Sequence, residues 1–285
     1  MNEVLSVPQS LALGVIQGLT EFIPVSSTAH LLIAPHLFDL PEPTHPHAFD
    51  TIIQAGTLLP VLLYFRRDWL RMLRALGRVV GRRRATRDPD ERLALFLLFG
   101  TLPALVVGLL VERWIEGLAD LNHHPLGMLV IGVALLGFGL VMLWVDRRAR
   151  RTRVAEHMVA ADAWFIGFGQ ALAVIPGVSR SGATITAGLM TGLTREDAAR
   201  FSFLLYAPVM AAASGWKLLK LLRAPEALPT AEWIGMAVAT VAAAIVGYAC
   251  IAFLLRYLRH RSLDLFVFWR ALVGALLIGM FFAQR

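Results

Sequence analysis

The chain has 285 residues, 57% of them hydrophobic and 16% charged, with a formal net charge of +7 and a mean hydropathy of +0.65. Soluble domains carry about 25% charged and about 45–50% apolar residues, so a water-soluble fold is excluded, and disorder with it. The chain is an integral membrane protein, read as one membrane domain over 1–285. Its basic balance is not a nucleic-acid footprint, because Arg is concentrated between apolar runs as the positive-inside rule produces. Cys250 stands alone in an apolar run, so neither a disulfide framework nor a cysteine metal site is expected. The N-terminus lacks the basic n-region of a cleavable signal peptide.

A bilayer-spanning helix needs about 20 mostly apolar residues. Roughly 4–38 is apolar but interrupted by Pro24 and a cluster of Ser, Thr and His; 48–65 is a short but usable span. An Arg-rich stretch, 66–92, carries ten Arg, including Arg82, Arg83 and Arg84, and reads as cytoplasmic. Full spans at 93–111 and 125–145 flank an acidic outer loop with Glu112, Glu116 and Asp120. The next loop, 146–157, is basic again, with Arg147, Arg148, Arg150, Arg151 and Arg153. A second interrupted stretch follows at 158–190, then a short span at 197–216 and full spans at 233–255 and 264–283. Arg256, Arg259 and Arg261 fall inside on this count, while Lys217, Lys220 and Arg223 form one discordant outer loop. The interrupted stretches read as re-entrant pairs of half-helices, which membranes tolerate only where protein or a water-filled cavity covers the broken backbone. The expected fold is all-α, with about six transmembrane helices plus two re-entrant helix pairs.

Residues 14–30 align without a gap on 167–183, pairing Gly14 with Gly167, Gln17 with Gln170, Leu19 with Leu172, Val25 with Val178 and Ser26 with Ser179. Each segment has a Pro near its break (Pro24, Pro176) and three spans after it. An odd number of spans inverts the second copy, so the chain is expected to hold two inverted-topology repeats, about 1–145 and about 158–285, whose broken elements meet near the midplane.

Ionisable and polar groups inside a membrane mark function by default. Gln17 and Glu21 share a helix face by their spacing. In Pro24-Val25-Ser26-Ser27-Thr28-Ala29-His30, Ser26 or Ser27 would cap the following helix, with its N-terminal N–H groups facing the cavity, and His30 would share a face with Ser27. Pro176-Gly177-Val178-Ser179-Arg180-Ser181-Gly182 does the same from the other side, Gly177 allowing close backbone approach and Arg180 supplying a fork of donors. Two helix N-termini, several hydroxyls and a guanidinium describe a phosphate site. Structural alternatives are a buried Glu21–Arg180 ion pair, a packed neutral His30 and hydroxyls used in helix packing. His45-Pro46-His47 reads as solvated loop histidines rather than a metal pair, and Arg270 has no assigned role.

With these motifs, and with Phe49-Asp50 and the IIQAG run, Gly100 to Ala104, and Ala198 to Leu205, the sequence resembles the undecaprenyl-diphosphate phosphatase, or bacitracin-resistance, family over nearly its whole length. The resemblance implies hydrolysis of a polyprenyl diphosphate lipid carrier to its monophosphate and phosphate, at a site facing the periplasm of the bacterial inner membrane. It implies a divalent cation, Mg2+ or Ca2+, for which Glu21 is the candidate ligand. It implies catalytic roles for Glu21, Ser27, His30 and Arg180, with Gln17, Ser26, Thr28, Gly177, Ser179 and Ser181 binding substrate. The family's first acidic position is Gln17 here, which leaves Glu21 as the lone carboxylate of the motif. The nucleophile is either Ser27, with His30 as its base, or a water activated by His30. A transporter or flippase of the lipid monophosphate is the alternative reading, since inverted repeats suit alternating access. A homodimer is compatible with the sequence.

Overall fold

The computed structural model describes residues 5–38, 45–82, 88–119, 126–223 and 230–283; among them the chain is helical, with no β-strand. Arg83, Arg84 and Asp120, and the side chains of Glu112, Glu116, His47 and Lys220, lie outside the described residues.

Both interrupted stretches are broken helices. The first is α1 (Val7–Phe22) and α2 (Ser27–Phe38). Gln9 Oε1 accepts from both the Ser6 N–H and the Ser6 hydroxyl at 2.8 Å at the start of α1, and the helix ends where Ile23 turns extended ahead of Pro24. In the second stretch Ile175 is likewise extended ahead of Pro176. The 48–65 span departs from expectation. It divides into α3 (Pro46–Gly56) and α4 (Leu58–Tyr64) at Thr57, whose hydroxyl donates to the Gln54 carbonyl at 2.6 Å and also meets the Tyr206 hydroxyl. The Arg-rich stretch is not all loop, because the chain bends by 81° into α5 (Arg66–Arg82). Its apolar face, with Trp69, Met72 and Leu76, packs inward, while Asp68 pairs with Arg71 and, at 2.6 Å, with Arg200. This is the pattern of a helix lying on a membrane surface.

Next come α6 (Pro89–Ala119) and α7 (Gly127–Arg148), then α8 (Ala160–Ala171), a 3-10 turn at Leu172–Val174, and α9 (Arg180–Met190). The chain closes with α10 (Arg195–Arg223), α11 (Thr230–Leu258) and α12 (Asp264–Ala283). Among the described residues, α6, α7, α10, α11 and α12 are long and apolar enough to cross a membrane, and the bent α3–α5 segment makes a sixth crossing if counted as one span. The chain is a multi-pass membrane protein. Ion pairs gather on the Arg-rich side, where Asp146 takes Arg195 at 2.6 Å and the Leu263 N–H at 3.0 Å, and Asp162 takes Arg153 at 2.7 Å.

Small residues set the helix contacts, as membrane interiors favour. Half-helix α1 lies against α11 and α8 against α6. A Cβ on Gly14 would sit 2.3 Å from the Ala239 carbonyl, and one on Gly18 2.7 Å from that of Ala243. Gly167, aligned with Gly14, meets the Gly100 carbonyl at 2.6 Å in the same sense. Between α7 and α12, Gly132 and Gly274 each face the other's carbonyl at 2.9 Å.

Candidate active site

The two breaks come together. Glu21, at the end of α1, receives Arg180 Nη2 on Oε1 at 3.1 Å. Its Oε2 accepts from Ser27 Oγ at 2.6 Å and from Gln17 Nε2 at 2.9 Å. The ion pair foreseen as a structural alternative is thus formed, and it is part of the cluster. Arg180 also lies over the ring of the fully buried Tyr206, 3.8 Å from guanidinium carbon to centroid. The polar cluster is therefore built from one carboxylate, one guanidinium and an aromatic floor.

Each helix that starts at the site is preceded by a serine with positive φ, Ser26 at 75° and Ser179 at 72°. Such conformations are strained for residues with a Cβ and collect at functional sites. Ser179 caps α9, its Oγ accepting from the Gly182 N–H at 3.2 Å. Gly177 has φ +94°, and a Cβ there would meet the Ile131 carbonyl at 2.7 Å, so the close approach expected of it is to α7.

A cavity of about 570 Å³ opens from this cluster. Glu21, Ser26, Ser27, Thr28, Gly177, Ser179 and Arg180 are on its wall, together with Gln170 and Gln54. The rest is mainly apolar, from Ala104 to Leu109 on α6 and Val209 to Trp216 on α10, with Lys217 at the rim. Two expected substrate contacts stand elsewhere: Gln17 is fully buried behind Glu21, and Ser181 is fully buried, bonding Ser179 and the Ile23 carbonyl.

His30 also differs from expectation. It lies on the shared helix but makes no bond to Ser27. The Trp269 indole N–H donates to its Nε2 at 2.7 Å, and Nδ1 lies 2.7 Å from the Ser26 carbonyl. Because an indole only donates, the proton is on Nδ1, and both ring nitrogens are engaged. The i, i+3 spacing put the two side chains on one side of α2, but the sequence held no sign of Trp269, which arrives from α12.

Arg270, unassigned from the sequence, is fully buried on α12 and spans the two breaks. It donates to the Gly177 carbonyl at 2.9 Å and the Pro24 carbonyl at 3.4 Å, and to Leu135 and Ala134 of α7 at 3.2 and 3.5 Å. Tyr206, Trp269 and Arg270 were missed as supports because they carry no local motif; a lone Arg in a span was the one signal present. His45 is not simply a solvated loop histidine, since it pairs with Glu232 of α11 at 2.8 Å.

Among the described residues, the cluster around Glu21 has no ready place for a resident divalent cation. Glu21 has both oxygens committed, one of them to a guanidinium, and no three of His, Cys, Asp and Glu cluster among the described residues.

A family model described as bacitracin resistance protein BacA matches residues 10–276. The chain belongs to this bacitracin resistance family. Relatives named undecaprenyl-diphosphatase agree with that placement. One from Anaeromyxobacter sp. is 48% identical over 278 residues, covering 96% of this chain and 87% of its own. Another, from Myxococcus xanthus, is 43% identical over 276 residues, with 96% and 89% covered. A third, from Rubrobacter xylanophilus, is 41% identical over 279 residues, with 96% and 100% covered. The family match takes in both breaks and four of the five apolar spans whole, and the fifth, Asp264–Ala283, as far as Leu276.

Proposed function

We propose that this chain is a membrane phosphatase that hydrolyses undecaprenyl diphosphate to undecaprenyl phosphate and inorganic phosphate, returning the lipid carrier to cell-wall synthesis and so conferring bacitracin resistance. The observation that carries the chemistry is the hydroxyl of Ser27 donating at 2.6 Å to a carboxylate whose other oxygen is held by Arg180. Phosphoryl transfer is mostly positioning and charge stabilisation. Glu21 takes the Ser27 proton as Oγ attacks the terminal phosphorus, and the bridging P–O bond breaks, releasing the lipid monophosphate. Arg180 and the N-terminal N–H groups of α2 and α9 face the growing charge on the phosphoryl oxygens. Water then cleaves the phosphoserine, and Glu21 returns the proton to Oγ as phosphate leaves. His30, bound on both nitrogens, fixes the Ser26 carbonyl and hence the start of α2.

The apolar stretch of wall along α6 and α10 suits a polyprenyl chain. It lies on the later half of each helix, away from the Arg-rich ends, which supports a site facing the periplasm of the bacterial inner membrane. Two inverted repeats, about 1–145 and about 158–285, are supported by the exchange in which α1 lies on α11 and α8 on α6. A flippase would use Arg180 and the helix N-termini but has no need of a hydroxyl bonded to a carboxylate. The test is phosphate release from undecaprenyl diphosphate by the purified protein in detergent with magnesium. Release that falls by about 10²–10³-fold in Arg180→Ala supports the reading; no release from folded protein, with or without calcium, refutes it and leaves transport.

A further inference from the structure

Gln170 ends α8 on the cavity wall that also holds Glu21, Ser27 and Arg180, and it is 2% exposed. Neither its Nε2 nor its Oε1 has a hydrogen-bond partner among the described residues, and neither has Nη1 of Arg180. Buried amides are nearly always satisfied, so a side chain left over in both its donor and its acceptor calls for a partner from the cavity. The alignment of the two breaks explains why it is left over. Gln17 finds Glu21 one turn further on and donates to it at 2.9 Å. One turn after Gln170 stands Val174, in the 3-10 turn that ends the half-helix, so no carboxylate takes its amide. The two glutamines therefore have different work: one holds the base, the other faces the cavity.

We propose that Gln170 is a substrate-binding residue, its Nε2 donating to a non-bridging phosphate oxygen that Nη1 of Arg180 also holds. Its Oε1 then accepts from water or from a protonated phosphate oxygen. This rests on the phosphatase reading for the identity of the diphosphate. An anion answers both free donors together, whereas a cation would meet Oε1 beside a guanidinium and be repelled.

The test compares wild type with Gln170→Leu in the full chain, by phosphate-release kinetics and by thermal unfolding with and without inorganic pyrophosphate. A donor to an oxygen that is charged in both ground and transition states should appear in KM. Gln170→Leu is expected to raise KM by about tenfold to a hundredfold while kcat stays within about threefold. Its ligand-free melting temperature is expected to equal or exceed that of wild type, because an unsatisfied buried amide has been removed. Pyrophosphate is expected to raise the melting temperature of wild type but not of the variant, and Gln170→Glu should bind worse still. Gln170→Met, unbranched and of similar length, provides the same readings if the Leu variant fails to fold. An unchanged KM, or equal pyrophosphate shifts in both proteins, overturns the inference; so does a lowered melting temperature with KM intact, which is the mark of a structural amide. Absence of phosphate release by wild type would instead refute the phosphatase reading, and the pyrophosphate shift, which needs no turnover, still decides this inference.

Discussion

Replacing Arg270 by Met removes a guanidinium that reaches both breaks without touching the cavity. Of its four carbonyl contacts, those on Leu135 and Ala134 belong to α7, where helical bonding supplies the main partner. The Pro24 and Gly177 carbonyls lie between helices, and each orphaned group costs about 1–3 kcal/mol. Together they cost about 2–6 kcal/mol. Part is returned, because Arg270 is fully buried with no ion pair among the described residues, and its desolvation is relieved. The expected net loss of stability is about 1–4 kcal/mol. The catalytic effect should be larger. Glu21 precedes Pro24 by three residues and Arg180 follows Gly177 by three, so slack in either break moves one partner of the ion pair. A shift of about 1 Å costs on the order of 10²-fold in rate. Phosphate-release kinetics and thermal unfolding of the purified protein would show kcat falling about 10²-fold together with the melting temperature. An Arg270→Met enzyme with kcat within about threefold of wild type and unchanged melting would refute the clamp.

Three further outcomes follow from the contacts described. Gly14→Val forces a branched side chain where even an added Cβ would sit 2.3 Å from the Ala239 carbonyl; thermal unfolding should show a loss of about 1–3 kcal/mol or more, and wild-type melting would contradict the close contact. In a double-mutant cycle, His30→Ala and Trp269→Phe should each lower kcat and be strongly non-additive, because they break one tether. Were His30 the base for Ser27, His30→Ala would match Ser27→Ala while Trp269→Phe stayed near wild type. Gln17→Glu adds beside Glu21 the second carboxylate that a divalent cation lacks in wild type, so the activity of the variant should respond more steeply to added magnesium than that of wild type; an equal response would show that the added carboxylate creates no cation site.

The membrane class and the paired breaks were legible because both are written locally, in apolar runs, Arg placement and the residues around Pro24 and Pro176. The same local signals brought Glu21, Ser27 and Arg180 into view. Partners supplied by distant helices were not legible. Trp269 reaches His30 across 239 positions and Arg270 reaches Pro24 across 246, and no periodicity in either segment encodes the other. The break at Thr57 was hidden for a similar reason: its hydroxyl meets Tyr206 from another helix, within a stretch whose composition alone reads as one span. The Arg-rich 66–82 segment was read through its charge, which outweighed the Trp69, Met72 and Leu76 stripe that makes α5 a helix.

The most direct test is a single-turnover reaction of wild type and Ser27→Ala with undecaprenyl diphosphate labelled at the terminal phosphate. Wild type should release labelled phosphate and carry label transiently on Ser27, and Ser27→Ala should do neither, with turnover down by on the order of 10³-fold or more. Release from Ser27→Ala at near wild-type rate would contradict the covalent account and leave the Ser27–Glu21 bond without the role given to it.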